Sequence, residues 1–163
     1  MESGELLTFL QNTGAILEGH FLLTSGKHSN VYIEKFRILE DPNALDKVCR
    51  AMAEIVMDEN VELVLGAAIG GILIAGGVGR YLSVRHIFSE RVNGNMELRR
   101  GFSISKGQRV VVVEDIITTG GSVVELIQLA REQGAEIVQV VNLVHRSSGE
   151  VEFGVPSTAL LTI

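Results

Sequence analysis

The feature of this sequence that most constrains its fold is the stretch VVVVEDIITTGGSV at residues 110–123. Four consecutive valines are typical of a strand that is buried on both faces of a parallel sheet. Two acids, Glu114 and Asp115, follow at the predicted carboxyl end of this strand, and a turn rich in threonine and glycine then begins a helix. Because ligands bind beyond the carboxyl ends of parallel strands, the stretch predicts an α/β fold with a ligand site at this position.

The turn at residues 118–122 has the composition of an anion-binding site. It offers consecutive backbone N–H groups and three hydroxyls at a predicted helix N-terminus, where the helix dipole also favours a phosphate. Gly120 and Gly121 allow the backbone to curl around such a group. The carboxylates of Glu114 and Asp115 suit ribose hydroxyls, or a magnesium ion that the substrate carries.

Strands and helices alternate along most of the chain. Helices are predicted over residues 5–18, 41–60, 72–81 and 120–133, and strands over residues 61–65, 84–89, 109–113, 137–144 and 159–163. The segment before residue 41 is predicted as two short strands around a polar turn at residues 24–30, whereas residues 90–108 show no periodicity. The alternation between residues 41 and 144 implies βαβ units on a parallel sheet.

Length and composition exclude several classes of protein. A chain of 163 residues fits one domain, and its net charge of −6 argues against a protein held on nucleic acid by phosphate neutralisation. The single cysteine, Cys49, excludes an intrachain disulfide and a cysteine zinc cluster. The acidic N-terminus does not resemble a secretory signal, and no apolar run has the length of a membrane span. We therefore expect a cytoplasmic protein that binds neither nucleic acid nor membrane.

Residues 110–123 resemble the phosphoribosyl diphosphate binding motif of type I phosphoribosyltransferases, in which two acids, two apolar residues and a T-x-G-x-S/T loop follow an apolar strand. The resemblance implies a three-layer fold, with a mostly parallel twisted sheet flanked by helices. It also implies that the loop holds the 5′-phosphate, that the acid pair holds the ribose 2′- and 3′-hydroxyls, and that Mg²⁺ binds the diphosphate. The substrate-binding residues implied here are Glu114, Asp115, Ile116, Ile117, Thr118, Thr119, Gly120, Gly121 and Ser122.

Four further segments resemble orotate phosphoribosyltransferases. Residues 19–36 are similar to the N-terminal segment of that family, and residues 64–75 to its diphosphate-binding G-x-x-x-GG turn. Residues 90–102 lie where the family has a mobile basic loop, and residues 141–149 lie where an arginine meets the carboxylate of orotate. The resemblance adds Ser25, Lys27, Gly70, Gly71 and Arg146 to the substrate-binding residues, and it makes Arg91, Arg99 and Arg100 catalytic together with Glu114 and Asp115.

The resemblance implies an activity and an organisation. The activity is transfer of ribose 5-phosphate from phosphoribosyl diphosphate to N1 of orotate, which gives orotidine 5′-monophosphate and diphosphate. The chain is expected to form a single domain, residues 1–163, with a small N-terminal hood at residues 1–40, an α/β core at residues 41–145 and a C-terminal strand region at residues 146–163. A homodimer is expected, in which the loop at residues 90–101 opens and closes and reaches the neighbouring site.

Two alternatives stay open at the level of sequence. The predicted basic loop contains arginines where many orotate enzymes have two lysines and a histidine, and Arg146 by itself also fits a solvated arginine at a strand end. The same scaffold could therefore act on another base, such as a purine, or could serve as a non-catalytic regulator that binds phosphoribosyl diphosphate. A purine lacks the carboxylate that Arg146 would bind, and a regulator would need a basic face, so both alternatives are disfavoured.

Overall fold

A computed structural model describes residues 2–146, 149 and 151–163 of the chain. Within those residues the helices are α1 (Ser3–Asn12), α2 (Lys35–Glu40), α3 (Pro42–Val56), α4 (Gly70–Leu82) and α5 (Gly121–Glu132). The strands are β1 (Ile16–Leu22), β2 (His28–Ile33), β3 (Leu63–Ala67), β4 (Arg85–Val92), β5 (Asn95–Leu98), β6 (Arg109–Ile117), β7 (Glu136–His145) and β8 (Ser157–Thr162).

Six strands form one twisted sheet, in the order β5-β4-β3-β6-β7-β8. The neighbours from β4 to β8 are all parallel, and only the edge strand β5 runs antiparallel to its neighbour β4. The carboxyl ends of the parallel strands therefore meet along one edge of the sheet. The remaining two strands, β1 and β2, form a separate antiparallel hairpin.

Apolar side chains cover both faces of the sheet. On one face, residues of α1, α2, α3 and α4 form a buried cluster with Val111 and Val113 of β6. On the other face, residues of α5 pack with Val110 and Val112 and with Phe153. All four of these valines are fully buried, as a strand covered on both faces requires. The predicted three-layer α/β fold with a mostly parallel sheet is confirmed.

Two helix boundaries lie where the local sequence predicts them, at the start of α3 and at the end of α5. The Asp41 carboxylate accepts a hydrogen bond from the Ala44 N–H at 2.8 Å, and Pro42 is the first residue of α3, as predicted for this helix start. Gly134 follows α5 with a φ of +91°, a conformation that favours glycine at a helix C-terminus.

The structure corrects the predicted N-terminal region. The helix predicted over residues 5–18 ends at Asn12, and Gly14 turns the chain with a φ of +75° so that Ile16 begins a strand. Ile16, which was predicted on the apolar side of that helix, is buried as the first residue of β1. Helix α2 was not predicted, since it has six residues, and the burial of Ile38 and Leu39 against the core stabilises it.

The first half of the irregular segment predicted at residues 90–108 forms part of a hairpin, and residues 99–108 lie in no helix or strand. β4 continues to Val92, and β5 pairs with it across a two-residue turn formed by Asn93 and Gly94, whose φ values are 50° and 83°. Asn-Gly between two strands is a strong hairpin signal, because both residues tolerate positive φ. None of the helices in the described part of the chain has the length and apolarity that a membrane span requires.

Candidate functional site

A cleft of about 280 Å³ opens at the carboxyl edge of the sheet, between the ends of β3 and β6. Its walls are the turn that follows β3, the end of β6 and the loop that begins α5. The residues that line it are Lys35, Ala67, Ala68, Ile69, Gly70, Arg91, Met96, Glu114, Asp115, Ile116, Ile117, Thr118, Thr119, Gly120, Gly121, Ser122 and Val123. All nine residues predicted from the motif therefore lie in one cleft.

The loop at residues 118–122 forms one wall of this cleft at the N-terminus of α5. Gly120 caps the helix with a φ of +83°, and a Cβ at this position would lie 2.6 Å from Val151 and 2.9 Å from Phe153. Glycine is required here by both its conformation and its packing. The side chains of Thr119 and Ser122 are exposed toward the cleft, so hydroxyls and helix N-terminal N–H groups are available to an anion.

The acid pair lies inside β6, because this strand runs four residues beyond its predicted end at residue 113. Glu114 and Asp115 are only 9% and 4% exposed, and they point to opposite faces because they are consecutive in a strand. Glu114 Oε1 accepts a hydrogen bond from the Asp115 N–H at 3.0 Å. Burial, reinforced by the charge of Asp115, raises the pKa of Glu114 from 4.5 to about 8.

Asp115 is held between backbone and a lysine. Its Oδ1 accepts a hydrogen bond from the Ile116 N–H at 2.6 Å, and its Oδ2 lies 2.8 Å from Lys35 Nζ. Oδ2 is buried and has no hydrogen-bond partner, so its contact with the ammonium is ionic without hydrogen-bond geometry. Asp115 Oδ2 is therefore covered by the Lys35 ammonium.

The glycine-rich turn after β3 is crowded by the protein itself. A Cβ at Gly66 would overlap the Gly71 carbonyl group, and a Cβ at Gly70 would overlap the Asp115 carboxylate. The peptide between Ala68 and Ile69 is cis. Gly70 lines the cleft as predicted, whereas Gly71 packs against Gly66 and does not line it. The glycines of this turn are therefore required in the first place by close packing within the chain.

A second cleft, of about 880 Å³, lies under the β1–β2 hairpin. It contains the three remaining substrate-binding residues of the prediction, Ser25, Lys27 and Arg146. Arg146 follows β7, and its Nη2 donates to the Val31 carbonyl oxygen at 2.7 Å, which ties the hairpin to the sheet. The full lining is Leu22, Leu23, Thr24, Ser25, Lys27, Tyr32, Thr118, Thr119, Arg146 and Ile163. Thr118 and Thr119 line both clefts, so the two spaces adjoin.

The three predicted loop arginines are separated by the structure. Arg91 lines the first cleft, where its guanidinium donates to both carboxylate oxygens of Glu125 at 3.0 and 3.2 Å. Arg100 lies two residues beyond β5 with a φ of +62° and pairs with both carboxylate oxygens of Glu90 at 2.8 and 2.9 Å. Arg99 is exposed, and neither Arg99 nor Arg100 lines a cleft.

Two polar residues of the site were missed at the level of sequence. Lys35 is the first residue of α2, two positions beyond the end of β2, and no local pattern marked it because a strand was predicted over this segment. Asn142 is 1% exposed, faces Glu114 across the β6–β7 pair, and has an unpaired Nδ2 group. A single asparagine within the apolar run of β7 was the only sign of it.

The chain is similar to proteins of one family over nearly its whole length. Residues 36–153 match the model of the phosphoribosyl transferase domain. The chain is 48% identical over 154 residues to the orotate phosphoribosyltransferase of Thermotoga maritima, covering 94% of this chain and 82% of that protein. It is 47% identical over 163 residues to the orotate phosphoribosyltransferase of Desulforamulus reducens, covering 100% of this chain and 85% of that protein.

Solved structures agree with the sequence relatives. The orotate phosphoribosyltransferase of Aeropyrum pernix superposes with a TM-score of 0.83 at 30% identity, covering 97% of this chain and 93% of that one. An adenine phosphoribosyltransferase from Leishmania tarentolae has a TM-score of 0.76 at 19% identity, covering 99% of this chain and 89% of that one, which shows the shared fold alone. By fold, motif and relatives, the chain belongs to the type I phosphoribosyltransferase family, in its orotate phosphoribosyltransferase branch.

Proposed function

We propose that the protein transfers ribose 5-phosphate from phosphoribosyl diphosphate to N1 of orotate, as the names of its relatives state for those proteins. The observation that carries the proposal is the pair of adjoining clefts that share Thr118 and Thr119. One cleft offers an anion loop and two carboxylates, which suits a ribose phosphate. The other offers a guanidinium, which suits a planar carboxylate. A donor and an acceptor bound in these spaces would meet at the shared threonines.

In this mechanism the protein orients reactants and supplies no nucleophile. The loop at residues 118–122 binds the 5′-phosphate, and Glu114 and Asp115 accept hydrogen bonds from the ribose hydroxyls. The C1–O bond to diphosphate breaks, the leaving group takes the electron pair, and N1 of orotate forms the new bond to C1 while its proton is lost. Positioning and electrostatic stabilisation of the departing charge provide the acceleration.

Mg²⁺ is proposed to enter with the diphosphate. Among the described residues there is no group of three or more side chains of the kind that ligate a metal ion. Mg²⁺ usually keeps several waters and binds substrate phosphates beside one or two carboxylates, and Glu114 and Asp115 fit that outer role. When bound, the ion would neutralise charge that develops on the diphosphate.

The direct test is a spectrophotometric assay of orotate consumption with phosphoribosyl diphosphate and Mg²⁺. We expect turnover with orotate and none with adenine or hypoxanthine. Replacing Arg146 by Gln should raise the KM for orotate about tenfold or more, since a charge-assisted pair is lost, with a much smaller effect on the KM for phosphoribosyl diphosphate. Turnover with a purine in place of orotate would contradict the proposal, and binding without turnover of any base would favour a regulator.

We also propose that the protein acts as a homodimer in the cytoplasm. Its single cysteine, Cys49, is buried and free, which is compatible with a reducing compartment. Ile69 and Leu73 lie one turn apart at the start of α4 and are 75% and 50% exposed, so they offer an apolar surface beside the cleft. Such a surface would suit a second subunit.

A further inference from the structure

The first cleft offers few positive charges to a substrate that carries both a phosphate and a diphosphate. Of the residues that line it, Lys35 and Arg91 are cationic, and Glu114 and Asp115 are acidic. Arg91 is engaged by both oxygens of Glu125 and also donates to the Gly94 carbonyl oxygen at 2.7 Å. Lys35 is therefore the lining cation that contacts an acid of the pair directly, through Asp115.

The backbone at Lys35 is fixed by buried residues before and after it in the chain. It is the first residue of α2, with Ile33 buried before it and Ile38 buried after it. The Glu34 N–H donates to the Ala15 carbonyl oxygen at 2.8 Å, which anchors the start of the helix. The backbone is thus fixed, while the side chain is 34% exposed and its four-carbon stem can move the ammonium within the cleft.

The ammonium of Lys35 covers one oxygen of the Asp115 carboxylate. Oδ1 accepts a hydrogen bond from the Ile116 N–H, and Oδ2, which is buried, lies 2.8 Å from Lys35 Nζ. The same Oδ2 lies against Gly70, so the ammonium is on the side of the turn at residues 68–70. If Asp115 accepts a ribose hydroxyl through Oδ2, the ammonium of Lys35 must share this oxygen or move to another anion.

We propose that Lys35 is a substrate-binding residue that changes partner: it neutralises Asp115 in the empty cleft and binds the diphosphate when substrate enters. The inference rests on the proposed function, because it takes phosphoribosyl diphosphate as the ligand. The anion is the diphosphate and not the 5′-phosphate, since Lys35 faces the turn beside Gly70 while the loop at residues 118–122 begins α5 on the other wall. Lys35, at the junction between the β1–β2 hairpin and α2, thereby places a positive charge beside the departing diphosphate.

The test is calorimetric binding of inorganic diphosphate with Mg²⁺ to the whole protein. Lys35→Met, which keeps an unbranched stem without the charge, should weaken binding about tenfold or more, as expected for a lost charge-assisted contact. Lys35→Arg keeps the charge and should retain most of the affinity. Lys47→Met is the matched control, because Lys47 lies over the Phe9 ring at 4.3 Å and lines a different groove. Wild-type affinity in Lys35→Met would overturn the inference.

A measurement on the unmodified protein guards against variants that fail to fold. Acetylation of lysines by a water-soluble reagent, followed by mass spectrometry, should be slowed at Lys35 by Mg²⁺–diphosphate and unchanged at Lys47. Equal rates at Lys35 with and without diphosphate would overturn the inference. A wild-type protein that does not bind diphosphate would overturn it together with the proposed function. Diphosphate binding that depends on Lys35, in a protein that does not consume orotate, would support Lys35 and overturn only the proposed base.

Discussion

The two carboxylates at the end of β6 have different environments although they are adjacent in the chain. Asp115 faces Lys35 and Gly70, whereas Glu114 faces Asn142 on the other side of the sheet. Burial of Glu114, reinforced by the negative charge of Asp115, raises the pKa of Glu114 to about 8.

The raised pKa of Glu114 predicts that the stability of the protein depends on pH. Because the folded protein keeps the Glu114 proton up to pH about 8 and the unfolded chain releases it near 4.5, this group's contribution to the free energy of unfolding falls as pH rises through that window. Between pH 5 and pH 8, urea unfolding should show the stability of the wild type falling relative to Glu114→Gln by roughly 2–4 kcal/mol.

Substrate binding should be linked to the same proton. Ribose hydroxyls donate to the ionised carboxylate, so phosphoribosyl diphosphate should bind more tightly as pH rises toward 8 and should release a proton on binding near pH 7. Calorimetry in buffers of different ionisation enthalpy measures that proton directly, and Glu114→Gln is the control that should release none. A stability difference between wild type and Glu114→Gln that does not change with pH would contradict the raised pKa.

At the scale of elements, α4 shows why this chain is rich in glycine. The helix packs closely between α3 and β4, and its glycines have different neighbours. A Cβ at Gly77 would overlap the Cys49 Sγ atom, whereas a Cβ at Gly76 would lie 3.6 Å from the His86 ring, an ordinary contact. Burial also raises the pKa of the Cys49 thiol to about 12, so this cysteine is a packing residue and not a nucleophile.

The glycines of α4 therefore predict opposite effects for two adjacent substitutions. Gly77→Ala should lower the free energy of unfolding by about 1–3 kcal/mol, because the added methyl group must displace a buried side chain. Gly76→Ala should leave stability unchanged or raise it by up to about 1 kcal/mol, since alanine favours the helix more than glycine does. Urea unfolding of the two variants side by side measures both effects, and equal destabilisation would show that the packing is looser than described.

The β4–β5 hairpin occupies the segment that was expected to close over the substrate. It is attached to α5 through the Arg91–Glu125 pair and contributes Met96 to the cleft. We expect amide hydrogen exchange in residues 90–101 to slow when phosphoribosyl diphosphate and Mg²⁺ bind, as a closing hairpin requires. Slower exchange in residues 118–122 without any change in residues 90–101 would argue against the closing movement.

At the scale of the whole molecule, the site lies where the order of the strands reverses. The connection from β3 through α4 leads to β4 on one side, and the next connection returns to β6 on the other side of β3. The crevice between β3 and β6 is therefore the topological switch point, where open α/β sheets bind ligands. This position lets a protein of net charge −6 bind anions, because backbone N–H groups and a few cations act locally.

The proposed homodimer can be tested by mixing subunits. Asp115→Asn should inactivate a site from within its own subunit, and Arg99→Ala should inactivate it from the neighbour if the hairpin reaches across. Random mixing of the two inactive proteins should then restore about a quarter of wild-type activity, because half the dimers are mixed and one of their two sites is intact. Ultracentrifugation checks the dimer itself. A dimer that recovers no activity would show that the sites are not shared through Arg99.

The alternation of strands and helices over residues 41–144 predicted the parallel sheet, and residues 110–123 predicted the ligand edge and an anion loop, because both depend on local patterns of valines, glycines and a helix start. The Asp41 cap and the Gly134 terminus were predictable for the same reason. The tertiary structure alone decided the pairing of Lys35 with Asp115, the bond from Arg146 to Val31, and the separation of Arg91 from Arg99 and Arg100. The first two contacts join residues 80 and 115 positions apart. All three arrangements depend on how helices and hairpin pack on the sheet, and no local pattern encodes that packing.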